Sequence, residues 1–78
     1  MQLSDFSKRQ QVPPAVRRNA ARLFSRLCSG KKVFRQLGLK GNGYLKVNVG
    51  PFWRLLSKDG GRQWWLMDHE TYNREIRR

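Results

Sequence analysis

Acidic residues, cysteine, histidine and long apolar runs are all scarce in this chain. Five Asp and Glu stand against seventeen Lys and Arg, a formal net charge of +12 in 78 residues. So one-sided a surplus costs self-repulsion in the folded state and calls for a polyanionic partner. Nucleic acid comes first, an acidic protein second and a membrane surface third. There is one cysteine, Cys28, and one histidine, His69. A lone thiol cannot close an internal disulfide, and one thiol with one imidazole falls short of a zinc ligand set. No metal and no other cofactor is therefore expected. The absence of a long apolar run predicts neither a transmembrane helix nor a secretory leader, so the expected location is cytoplasmic and no membrane partner is expected.

What is present suits one small domain over residues 1–78. Four Phe, three Trp and two Tyr make a core possible at this length, and most of them are needed for it. Residues 1–12 are polar, with isolated apolar points at Leu3, Phe6 and Val12, and predict a loose arm or a short edge strand. Pro13-Pro14 stops any preceding helix and suits the first turn of a new one. From Ala15 to Ser29 the helical period places Val16, Ala20, Leu23, Phe24, Leu27 and Cys28 on one face. Cys28 is thus expected to be a small buried hydrophobe. Arg17, Arg18, Arg22 and Arg26 fall on the other face, and Gly30 terminates the helix.

Residues 31–42 read as a connector with turns at Gly38, Gly41 and Asn42, and with either helical turns or a short extended piece from Val33 to Leu37. Tyr44 to Val49 alternates as a strand, Phe52 to Lys58 forms a second and Arg62 to Met67 a third. Asp59-Gly60-Gly61 is a hairpin signal, because glycine reaches positive φ without steric cost. Asp68 or Thr71 is expected to cap a last helix reaching Arg77. The expected fold is α+β: an N-terminal helix packed on an antiparallel sheet of three or four strands, with a short C-terminal helix. If the long helix covers the face carrying Leu45, Val47 and Val49, the other face is left open. Period two then puts Lys46 and Arg54 together on that open face. Trp64 and Trp65, being adjacent, must point opposite ways, one into the core and one to an edge or a stacking surface.

Three segments carry a family resemblance: Lys46-Val47-Asn48-Val49-Gly50, Phe52-Trp53-Arg54-Leu55-Leu56, and Trp65-Leu66-Met67-Asp68-His69-Glu70-Thr71-Tyr72. Together they resemble the RelE/ParE superfamily of bacterial toxins from type II toxin–antitoxin pairs, over roughly residues 33–76, as a short ParE-like member. The chain departs from the pattern in having one good helix near its start and Leu55-Leu56 where many members carry an aromatic. The resemblance implies an acidic antitoxin as partner. It also implies one of two targets: messenger RNA cut on the ribosome by RelE-like members, or DNA gyrase poisoned by ParE-like members that have largely lost the catalytic set.

Metal-independent RNA cleavage needs a cation at the phosphorane, a base for the 2′-hydroxyl and an acid for the leaving 5′-oxygen. The resemblance places Arg54 at the scissile phosphate, where its planar fork suits the ligand. Lys46 would add charge from the neighbouring strand. His69 is the side chain whose ordinary pKa lies near neutrality, so it is the candidate acid or base. Tyr72 could orient the substrate or stack on a base. Each has a plainer reading: solvated strand charge for Arg54 and Lys46, a cap or packed ring for His69, a core residue for Tyr72. Arg17, Arg18, Arg22 and Arg26, with Lys31 and Lys32, could follow phosphates outside the site, or simply keep the helix solvated. A non-catalytic RNA- or DNA-binding module of phage or plasmid origin shares the element order. A double-stranded RNA-binding domain would want a longer, Lys-rich final helix than Asp68-His69-Glu70 begins.

Binding to polyanions should weaken with salt. With around four to six phosphate contacts, affinity for single-stranded nucleic acid should fall on the order of a hundredfold or more from low to physiological salt. Titrations at stepped salt concentration read this directly, and a salt-independent affinity would reduce the charge to surface solvation.

Overall fold

Two proline residues and one glycine set the limits of the long helix. The computed structural model describes residues 1–7, 10–37 and 43–77. Helix α1 runs Pro14–Cys28, with Pro13 extended at the N-cap and no side-chain cap. Pro14 fits the first turn, where its missing N–H would have had no partner anyway. At the other end Gly30 takes φ +84°. Its N–H donates to Leu27 O at 3.0 Å, and Lys31 N–H donates to Arg26 O at 3.0 Å. This pair of reversed bonds is a Schellman closure, which needs the left-handed residue that glycine supplies.

Five strands form among the described residues: β1 Gln2–Asp5, β2 Arg35–Gln36, β3 Leu45–Asn48, β4 Trp53–Ser57 and β5 Gln63–Asp68, with helix α2, His69–Ile76, last. The sheet order is β1-β5-β4-β3-β2. β1 pairs parallel to β5, and the other neighbours are antiparallel. The fold is thus α+β with a mixed five-stranded sheet among the described residues, rather than an antiparallel sheet of three or four. Leu3 opposes Trp64 in the added edge strand, and Phe6 N–H continues the pairing by donating to Leu66 O at 3.0 Å. The connector forms β2, which pairs with Leu45 and Lys46 only. The turns expected at Gly38, Gly41 and Asn42 lie outside the described residues.

Side chains of the sheet divide by period two. Leu45, Val47, Val49, Leu55, Trp64 and Leu66 meet Ala20, Leu23, Phe24 and Leu27 of α1. Leu56 and Met67 point the opposite way and pack with Tyr72 of α2. The face expected to be open is therefore half covered. Its physical reason is that Tyr72 and Ile76 need burial, and Leu56 and Met67 offer the matching apolar floor. One further correction concerns Cys28, which is exposed rather than buried. It lies at the last helical position, beyond the sheet's apolar floor, and Leu27 takes the inward place at 5% exposure.

The β4–β5 hairpin is closed by a polar knot. Ser57 is completely buried; its hydroxyl donates to Asp59 Oδ1 at 2.9 Å and accepts from Gly61 N–H at 2.8 Å. Asp59 Oδ1 also accepts from the N–H groups of Arg62 and Gln63. Gly60 and Gly61 take φ +78° and +103°. Lys58, leaving this hairpin, makes a 2.7 Å ion pair with Glu75 and so ties the end of α2 to the sheet. At the start of α2, Asp68 Oδ1 accepts from Thr71 N–H at 2.9 Å, a side-chain N-cap.

Hydrogen bonding to Thr71 holds the Asp68 carboxyl below its ordinary value near 3.8. The ionised cap therefore stabilises the fold above that pH, and its contribution is lost as pH falls through the lowered folded value. Asp68→Asn keeps a cap acceptor that does not titrate. Thermal melts from pH 7 down to about 2.5 should show a shallower acid loss for this variant than for the wild type. Asp59, also lowered, chiefly by the Gln63 N–H, should preserve part of that loss. At neutral pH Asp68→Ala should cost about 1 kcal/mol. Identical acid slopes for wild type and Asp68→Asn would show that the cap carries no pH-linked stability.

Candidate functional site

Directly opposed residues of antiparallel strands share a face of the sheet. Arg35 opposes Lys46, and Lys46 opposes Leu56; Asn48 opposes Arg54, and Arg54 opposes Met67. These rows put Arg35, Lys46 and Arg54 on the α2 side. Leu56 and Met67 lie buried among them, under Tyr72.

Tyr72 is the centre of the cluster. Lys46 Nζ lies 5.7 Å from its ring centroid and Arg54 Cζ lies 6.0 Å from it. Both are near the outer range of cation–π attraction, so the ring orients the cations only weakly. Tyr72 is 6% exposed. Burial pushes its phenol above its usual pKa of 10, opposed by the nearby Arg54 charge. The hydroxyl therefore stays protonated near neutral pH and is not a base.

Arg54 also builds the turn before its own strand. Its Nη1 donates to the carbonyls of Gly50 at 2.8 Å, Trp53 at 2.9 Å and Pro51 at 3.4 Å. All three bonds use one nitrogen, so the rest of the fork is not held by a described residue. The turn it stiffens presents Phe52, which is 61% exposed. Phe52 O accepts from His69 N–H at 2.7 Å, and the two rings lie 5.4 Å apart at 49°. His69 thus follows the Trp53–Asp68 pair that ends the β4–β5 ladder, two residues past Met67, the partner of Arg54, and three residues before Tyr72 on α2. Its Nδ1 is buried without a hydrogen-bond partner among the described residues, so a proton exchanged with a ligand would pass through Nε2.

Of the expected set, Lys46, Arg54 and Tyr72 gather on one face, and His69 lies against Phe52 three residues before Tyr72. The helix arginines do not join it. α1 covers the opposite face, where Arg17, Arg18, Arg22 and Arg26 are exposed. Arg17 is committed to Asp5 through two bonds at 3.0 and 3.2 Å, and Arg22 donates to Asn19 at 2.6 Å. Lys31 and Lys32 are exposed just past the helix. Sequence reasoning missed Arg35, which lies in a two-residue strand with no alternation to reveal it. It also passed over Phe52 as a site residue, although Gly50-Pro51 marks a turn that could present it.

A family model described as a ParE-like toxin domain matches residues 14–74. No curated protein and no solved structure matches the chain.

If the Tyr72 ring is primarily the floor of this cluster, its two parts should separate on mutation. Tyr72→Phe keeps the packing and should change stability by about 1 kcal/mol or less. Tyr72→Ala opens a cavity and should cost about 3–5 kcal/mol. Denaturant unfolding of both variants checks this, and a large loss in Tyr72→Phe would instead give the hydroxyl the main structural role.

Proposed function

The chain belongs to the ParE-like toxin family and is a toxin of the toxin–antitoxin type; we propose that it stops growth by ribosome-dependent cleavage of messenger RNA. The observation carrying this reading is the placement of Lys46 and Arg54 against the Tyr72 ring, with His69 at the start of the same helix, three residues before Tyr72. That arrangement supplies each role the reaction needs.

The 2′-oxygen attacks phosphorus, the bond from phosphorus to the 5′-oxygen breaks, and a 2′,3′-cyclic phosphate and a 5′-hydroxyl result. Arg54 offers its remaining fork donors to the non-bridging oxygens, where charge grows in the phosphorane. Lys46 adds a second cation one strand away. His69, through Nε2, takes the 2′-hydroxyl proton as base and then, as the imidazolium, returns it to the leaving 5′-oxygen. Neutral Tyr72 is able to donate its hydroxyl proton in a hydrogen bond but is no base, and its ring closes the cluster against the sheet. The arginine face of α1 lies outside this chemistry and meets the surroundings of the ribosome or the acidic antitoxin.

One observation favours a second reading. Tyr72 is nearly inaccessible, and Arg54 spends one nitrogen on the turn carbonyls. Both suit a face that binds without chemistry, as in a toxin directed at DNA gyrase.

Mapping transcript 5′ ends after induction separates the two. Cleavage predicts new ends phased to the ribosomal A site, with His69→Gln and Arg54→Ala lowering their yield by about a hundredfold or more. Arg18→Ala, on the other face, should leave the yield nearly unchanged. Intact transcripts together with blocked supercoiling would reverse the assignment in favour of gyrase.

A further inference from the structure

Strand β2 is too short to cover its neighbour. It pairs with Leu45 and Lys46, and the next residues of β3, Val47 and Asn48, have no partner in β2. A groove of about 310 Å³ opens there. Leu23 and Val47 are among its apolar lining, and Lys32, Arg35, Lys46 and Asn48 supply its polar groups. Among the described residues no carboxylate lines it. Three cations around so small a space repel one another, an effect that water screens at the exposed Lys32 and Arg35 and that a bound anion would relieve further. The larger recess between β1 and α1, by contrast, is lined by Asp5 and Arg17, which neutralise each other.

We infer that this groove is a second phosphate subsite, holding the phosphodiester next to the one at Arg54 on a single-stranded RNA. The inference rests on the reading of RNA as the ligand of the Lys46–Arg54 cluster. Continuity carries it: Lys46 faces the Tyr72 ring and also lines the groove, and Asn48, on the groove wall, opposes Arg54 in register. A strand with one phosphate at Arg54 can thus pass the edge of β3 and place its neighbour among Lys32, Arg35 and Lys46. Asn48 adds an amide that can donate to phosphate or sugar. The sheet edge itself becomes the guide for the backbone.

The test uses fluorescent all-2′-deoxy oligonucleotides, which lack the attacking hydroxyl and so stay intact. Anisotropy titrations at stepped salt compare a dinucleotide, with a single phosphodiester, and an octanucleotide. Arg35→Gln and Lys32→Gln, both at exposed positions, should each weaken octanucleotide binding severalfold and reduce the salt slope by about 0.7. Neither should alter dinucleotide binding, whereas Arg54→Gln should weaken both ligands. Octanucleotide affinity and slope unchanged in Arg35→Gln and Lys32→Gln, with Arg54→Gln impaired, would overturn the subsite and leave the proposed function standing. No effect from any of the three would overturn both. Intact oligonucleotide binding with lost binding of an acidic peptide in Arg35→Gln would assign the groove to a protein partner and equally overturn the subsite.

Discussion

Leu55 and Leu56 are neighbours in β4, and both are completely inaccessible. Successive strand residues point to opposite faces, so a central strand buried at both positions must be covered twice. The rest of the architecture answers that demand. Residues of α1 meet the Leu55 side, and Tyr72 of α2 meets the Leu56 side. In so short a chain this divides the core in two. The second half rests on Leu56, Met67 and Tyr72, with Leu37, Tyr44, Trp65 and Ile76 around them. The Asp68 cap and the Lys58–Glu75 ion pair hold α2 at its two ends and so keep this smaller half assembled.

The candidate site is a consequence of that small second core. α2 is eight residues long, so it covers Leu56 and Met67 but leaves Lys46 and Arg54 at its margin. The two cations can then extend past the Tyr72 ring toward solvent while their stems lie on apolar surface. Arg54 joins the two levels of organisation: it stiffens the turn that presents Phe52, and it brings fork donors to the cluster. Residues that build the fold and residues proposed to act on a ligand are, at this margin, the same.

Much of this was legible from period and turn chemistry. The alternation of Leu45 to Val49 and of Trp53 to Leu56 predicts that Lys46 and Arg54 share a face, and the register agrees. Asp59-Gly60-Gly61 predicts the hairpin, and Trp64 and Trp65 do point opposite ways: Trp64 is in the larger core, and Trp65 packs on the smaller one and meets Phe6 edge-on at 6.0 Å. Other features had no local signal. Leu3 and Phe6 leave a loose arm or a short edge strand open for residues 1–12; β1 is the edge strand, but its parallel pairing with β5 is a long-range fact without a local signal. Arg35 is placed by two residues of pairing. Cys28 matched the apolar period of α1, but at the helix's last turn the period runs past the surface it would cover.

The central claim is that ligand binding and chemistry belong to the α2 face, with the arginines of α1 outside the site. Backbone amide shift mapping with a short 2′-deoxy oligonucleotide tests this most directly. The account predicts perturbations concentrated at Lys46, Asn48, Arg54 and His69, with Arg18, Arg22 and Arg26 nearly still. Shifts concentrated along α1, with the Lys46–Arg54 rows silent, would contradict it.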